Sequence, residues 1–368
     1  MQPELIVAIK EFKDYLTSKR FLLIFGVLIL ISIAAIIAGI SSYNTQLATY
    51  QEALSRPVTN ATGAFAVTPT MPSMLLVFSS FTSTFVIVGW LLAIAIGFDL
   101  ISKEKETGSL KLLLARPIYR DSIINGKIIG SAAILVISLV ATFLVALAIL
   151  LFAGLVPTGD DLPRLVTYLL LIALFCVTFL SIAIAASAIA KNSTIAILLA
   201  IGFVVFSLLL PNFSSSVCDI VLGQAPPAIS YSASTTTGGS GSGGSGGSGA
   251  STGGYTGGTG APGGFRGGAQ ANPAYTTYSN TRNEITEAIT LLSPTSDLTS
   301  ISAVVINRQS SPTSATGAGV FEITRLGRTT PSLGSSLPSI LPQILALVVM
   351  TIAGFAISYA KFTRMDVR

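Results

Sequence analysis

The sequence predicts an all-α polytopic membrane protein with six transmembrane helices, and three observations carry that prediction. Hydrophobic residues make up 51% of the 368-residue chain and charged residues only 10%, against roughly a quarter charged in soluble domains. Six apolar runs reach or approach the ~20 residues that a helix needs to cross a hydrocarbon core of ~30 Å. The basic residues collect in alternate segments between those runs.

The spans are expected at 21–42, 74–98, 128–154, 165–190, 194–210 and 340–360. The first follows Lys10, Lys13, Lys19 and Arg20 and is long for a signal-peptide core, so it reads as a retained helix. With the N-terminus inside, the cytoplasmic pieces are 1–20, 99–127, 191–193 and 361–368, and all nine lysines fall in them. The outer pieces carry seven arginines and no lysine. The positive-inside rule therefore selects cytoplasmic N- and C-termini, in a multi-pass protein of the plasma membrane. This clustering of charge also assigns the basic balance of +5 to topology rather than to a nucleic-acid partner.

No Asp, Glu, Lys or Arg lies in the middle of a span, where each would cost about 2.5 to 3.5 kcal/mol on insertion scales. The spans thus show no ion relay, and histidine is absent. Cys176 lies in an apolar run and Cys218 outside one, which gives neither a disulfide framework nor a thiolate metal cluster. No metal or cofactor is expected. The nearest fragment to a phosphate loop, Asn125-Gly126-Lys127-Ile128, lacks the first glycine and the hydroxyl that would meet magnesium. Any energy for uphill transport is expected from a partner.

Residues 4–17 place Leu5, Ile9, Phe12 and Leu16 on one helical face, with Glu4, Lys10, Glu11, Lys13 and Asp14 largely elsewhere. This predicts an amphipathic helix in the headgroup plane, with Lys19 and Arg20 at the membrane edge.

The segment 99–127 is charged yet holds a compact apolar stretch. Glu104 and Glu106 precede Gly108, which permits a turn, and Leu110, Leu112, Leu113 and Leu114 follow as a helix too short to span. Pro117 ends it, and Arg120, Gly126 and Lys127 lead into the third span. An exposed apolar turn of this kind needs a protein groove to bury it.

This pattern resembles the ABC type-2 permease family, whose members carry an acidic-Gly-Thr/Ser-Leu, Leu-Leu, Pro and Arg, then Gly-Lys run between their second and third spans. The matching positions are Glu104, Glu106, Gly108, Leu110, Leu113, Pro117, Arg120, Gly126 and Lys127. The amphipathic "elbow" helix, six spans and a large interval before the last span extend the likeness over most of the chain. The resemblance implies that the loop is a coupling helix seated in a cleft of a separate ATPase subunit. Glu104, Glu106 and Leu110 would stand at the contact, and Arg120 and Lys127 would hold the loop to the membrane edge. It also implies pairing with a second copy or a sister permease, and export as the direction of transport.

The outer segments are read as 43–73 and 211–337. Within the second, 233–270 is a Gly/Ser/Thr-rich linker that cannot bury a core. Residues 281–293 recover helical spacing, and Ala303 to Ile306 reads as a strand. By resemblance, 281–306 caps the outer end of the pathway; the plain alternative is a surface subdomain. Asn60-Ala-Thr62 and Asn212-Phe-Ser214 are candidate glycosylation sequons on the outer side. Phe78, Phe81, Phe85 and Trp90 on the second span read either as the lining of an amphipathic route or as contacts to lipid and neighbouring helices. The leading functional reading is the permease subunit of an ATP-driven exporter, without an ATPase motif of its own. The alternative is a multi-span anchor for an extracellular surface segment.

Overall fold

The computed structural model describes residues 3–55, 71–108, 120–159, 161–227, 229–230, 270–306, 334 and 337–364. Six helical segments are long and apolar enough to cross a membrane: Lys19–Ser55, Met74–Thr107, Asp121–Phe152, Asp161–Ile189, Ser193–Leu222 and Leu337–Thr363. Each coincides with a predicted span, and most run beyond it.

The chain opens with α1 (Pro3–Thr17), followed by the 37-residue α2 (Lys19–Ser55). The second span is composite: a 3-10 turn at Met74–Leu76, α3 (Val77–Thr84), a π turn at Phe85–Gly89 and α4 (Trp90–Gly97). The short α5 (Ser102–Thr107) lies at its end. The remaining spans are α6 (Arg120–Phe152), α7 (Asp161–Ile189), α8 (Ser193–Leu222) and α11 (Leu341–Thr363), the last preceded by a 3-10 turn at Leu337–Ile340. Between α8 and α11 stand α9 (Pro273–Thr290) and α10 (Pro294–Ile306). Ile229–Ser230 and Gln270–Ala271 pair as a two-residue antiparallel ladder.

The α7 helix is the centre of the bundle, because its small residues let neighbours approach. Gly354 of α11 lies against Ser181, where a Cβ would come within 2.4 Å of its hydroxyl. Three residues before Gly354 on α11, the hydroxyls of Thr178 and Thr351 bond at 2.8 Å. Toward the other end of α7, Tyr168 meets Phe78, Phe81 and Phe143 in an aromatic cluster, and its hydroxyl bonds Thr82 at 2.7 Å. Phe78, Phe81 and Phe85 are fully buried. Of the two readings for these rings, the structure supports contact with neighbouring helices.

The helical character of 3–17 holds, with a division of faces finer than simple amphipathicity. Leu5, Ile9 and Leu16 are exposed, whereas Ala8 is buried against α6. Gly126 and Gly130, one turn apart on α6, form the seat: a Cβ on either would lie 2.7 Å from the carbonyl oxygen of Glu4 or Ala8. Leu5, Ile9 and Leu16 are therefore left uncovered while the small face is docked on protein, and Phe12, expected on the same face, packs against the core.

One expectation about the outer interval is corrected. Residues 303–306 are the last turn of α10, not a strand. Leu298, Ile301 and Val305 recur at helical spacing and are buried together, and that periodicity outweighs the local β preference of the Ala-Val-Val-Ile run. Helix α8 continues past the expected end of its span at 210, through Pro211 to Leu222. Helices α9 and α10 are bent by 118° at their junction, where Ser293 and Thr295 bond the Ser207 hydroxyl at 3.1 and 3.0 Å. Ser207 lies 14 residues into α8, or roughly 21 Å at 1.5 Å per residue. The junction thus dips into the bundle. Residues 233–269 of the predicted linker lie outside the described residues.

Candidate functional site

The charged segment after the second span converges on one short helix. In α5, three consecutive side chains, Glu104, Lys105 and Glu106, each fasten a different part of the bundle. The helix starts where the backbone N–H groups of Ile101 and Ser102 donate to Ser187 Oγ of α7, at 3.0 and 2.9 Å. It ends at Gly108, whose φ of +70° is the left-handed conformation that glycine adopts without strain. The sequence-predicted turn at Gly108 is therefore present.

Glu104 reaches α6. Its Oε1 lies 2.8 Å from Lys127 Nζ, which also meets Glu11 Oε1 of α1 at 2.7 Å. Lys127 is 3% exposed, and the groups that hold it are these two carboxylates. It sits one residue from Gly126, the seat of α1, and close docking of that helix encloses the ammonium. Two carboxylates around one ammonium leave the cluster with excess negative charge. Tyr15, one turn beyond Glu11, completes the enclosure by donating its hydroxyl to the Ile96 carbonyl at 2.7 Å. Burial, with Asp99, Glu11 and Glu104 nearby, pushes the Tyr15 phenol well above its ordinary value, which keeps that donor protonated.

Lys105 and Glu106 address the corner between α7 and α8. Lys105 Nζ donates to the carbonyls of Ser187, Ala188 and Ala190, at 3.3, 2.7 and 3.0 Å. These are orphan acceptors at the C-terminus of α7, the negative pole of that helix. Glu106 accepts from the Ser193 backbone N–H at 3.2 Å and from its hydroxyl at 2.9 Å, at the positive pole of α8. Asn192 completes that cap by accepting from the Ile195 N–H. Opposite charges on adjacent residues thus grip opposite helix poles.

The structure brings together Glu104, Glu106, Gly108, Gly126 and Lys127 of the sequence-predicted set. Both glutamates are directed to this chain's own helices. Leu110, Leu113 and Pro117 lie outside the described residues, as does the side chain of Arg120, which opens α6. Asn60 also lies outside them, whereas Asn212 is exposed on α8. Sequence reasoning missed Glu11, Tyr15, Lys105, Ser187 and Ser193. The one-turn spacing of Glu11 and Tyr15, matched by that of Gly126 and Gly130, is the signal that could have found the first two; Lys105, Ser187 and Ser193 carry none.

A search of curated proteins finds no match. A family model described as "ABC-2 family transporter protein" matches residues 5–367, from the first turns of α1 to the end of the chain. That span takes in α1, every candidate transmembrane helix and the charged hub, so the chain belongs to the ABC-2 transporter family and is a membrane permease of an ABC transporter.

Proposed function

We propose that this permease is an exporter subunit, driven by a separate ATPase that engages the segment between α5 and α6. The observation that carries the reading is the three-way attachment of α5. Glu104 ties it to α6 and α1, Lys105 to α7, and Glu106 to α8. A force applied to residues 109–119 is delivered at both ends into this hub, and through it to four other helices. Glu104, Glu106 and Lys127 are then positioning residues that transmit motion. Leu110 and Leu113 are the side chains that enter the ATPase cleft, flanked by Gly108, Pro117 and Arg120.

In this reading the hub faces the cytoplasm with both termini, in the plasma membrane. A second copy or a sister permease completes the pathway. The helices α9 and α10, dipping between α8 and α11 at the opposite end, cap the outer mouth. Leu5, Ile9 and Leu16 rest on the inner headgroups. The anchor reading gives no reason for so connected a hub.

The test is purification of the tagged protein in mild detergent, identification of stoichiometric partners and assay of ATP hydrolysis. A partner with a phosphate loop is expected, lost or uncoupled when Glu106 and Leu110 are replaced together. Unchanged assembly and transport-linked hydrolysis in that double variant would refute the coupling assignment. Sidedness is read by cysteine labelling, for which the background is low because Cys176 and Cys218 are both fully buried. A cysteine at Lys10 is expected to label from the cytoplasm and one at Ile220 from outside.

A further inference from the structure

Behind α5, at the same end of the bundle, lies a cleft of about 690 Å³ between the α7–α8 corner and the last turns of α11. Among the described residues its lining carries four cations, Lys105, Lys191, Lys361 and Arg364, and no carboxylate. Lys105 is already committed to three carbonyls of α7. The other three are exposed, and among the described residues no hydrogen bond or ion pair engages their side chains. Like charges gathered around a cleft repel, and an anion bound among them relieves that repulsion. Its remaining lining residues are apolar, Ile189 and Ile357 the largest of them.

We infer that this cleft binds the phosphate headgroup of an anionic phospholipid. The three unengaged cations meet the phosphodiester, and Ile189 and Ile357 flank the upper acyl chain. Both halves of the lining are needed for the choice of ligand. A free phosphate would leave the apolar wall unused, and a purely hydrophobic ligand would leave the cations unneutralised. Basic pockets between transmembrane helices suit such headgroups, and the anionic cytoplasmic leaflet supplies them. The inference rests on the proposed sidedness of the hub, but not on ATPase coupling.

The experiment uses the full chain alone, so its outcome is separate from that of any ATPase assay. The protein is reconstituted in phosphatidylcholine vesicles with or without a minority of phosphatidylglycerol, re-extracted, and the retained lipid weighed by mass spectrometry. The parent is expected to retain phosphatidylglycerol, and the K191Q/K361Q/R364Q variant to lose affinity for it about tenfold to a hundredfold. The K10Q/K13Q/K19Q variant, which removes equal charge from the exposed side of α1 and its junction with α2, is expected to retain it; equal loss there would reduce the effect to general attraction and overturn the site. Retention by the first variant, or displacement of the lipid by excess inorganic phosphate, would also overturn it. Amine labelling of Lys191 and Lys361 in the unmodified protein tests the site without a variant. Protection by phosphatidylglycerol is expected, whereas protection only by an added ATPase subunit would assign the cleft to that partner and refute the lipid.

Discussion

Lys127 and Glu104 meet at 2.8 Å inside the protein, the lysine 3% and the glutamate 18% exposed. Glu11 completes the cluster from the other side. Removing the ammonium would leave two enclosed carboxylates opposed, a change that costs about 3 to 5 kcal/mol when a buried pair loses one partner. The Lys127→Met variant is expected to be poorly folded, with a lowered unfolding temperature in detergent. Adding Glu11→Gln and Glu104→Gln should recover most of the loss, because the repulsion goes with the charges. A triple variant no better than the single one would show that the lysine stem, not its charge, supports the site.

The paired poles of α7 and α8 give a second expectation. Glu106→Gln and Lys105→Met each remove one charge–pole contact, worth about 0.3 to 1 kcal/mol. Stability should fall slightly, while ATP hydrolysis by the assembled complex loses its link to transport. Measuring partner binding and hydrolysis on the same preparation separates the two effects. Loss of partner binding with intact coupling would place these side chains at the ATPase surface after all.

Docking of α1 depends on the bare backbone of α6 at Gly126 and Gly130. The Gly126→Val variant puts a branched side chain where the Glu4 carbonyl lies 2.7 Å from the added Cβ, an overpacking of about 1 to 3 kcal/mol. Displacement of α1 is expected, read as faster proteolysis near Lys10 and Lys13. Unchanged proteolysis would mean that α1 is held by the membrane rather than by α6.

At the opposite end, Asp297 is buried and its Oδ2 has no hydrogen-bond partner among the described residues. Burying a charged carboxylate without compensation is unfavourable. The Asp297→Asn variant is therefore expected to unfold at the same or a higher temperature than the parent. A marked drop would indicate that the carboxylate engages a group that an amide cannot replace.

Much of the architecture was legible because lipid imposes a single rule, that long apolar runs become helices whose backbone bonds close within the segment. The six spans, the α1 helix and the turn at Gly108 follow from hydropathy, period and one residue's conformational freedom. What the spacing could not supply was partnership. Glu104 and Glu106 are two residues apart, yet one ends beside Lys127 and the other at Ser193, 87 positions away. Only the arrangement of four helices decides between those destinations. Lys105 was legible as a basic residue, but the carbonyls it serves belong to every helix end and carry no sequence mark. The Ala303 to Ile306 stretch misled for the reverse reason, since four residues are too few for period to outweigh composition until Leu298 and Ile301 are seen on the same face.

The π turn at Phe85–Gly89 sets the azimuth of all that follows on the second span. A π turn accommodates about one residue more than an α turn, and one residue of α-helix is a rotation of about 100°. Gly89 keeps the bulge compact, since a Cβ there would strike the Phe85 ring at 2.7 Å. Deleting a single residue within this turn would straighten the span while turning its lower half by more than a quarter circle. Leu92 and Ile96 would face away from their packing partners, and the three clasping side chains of α5 would point past their targets. The bulge therefore works as the keyway of the span: the distance counted in residues from Phe85 to Glu104 is fixed.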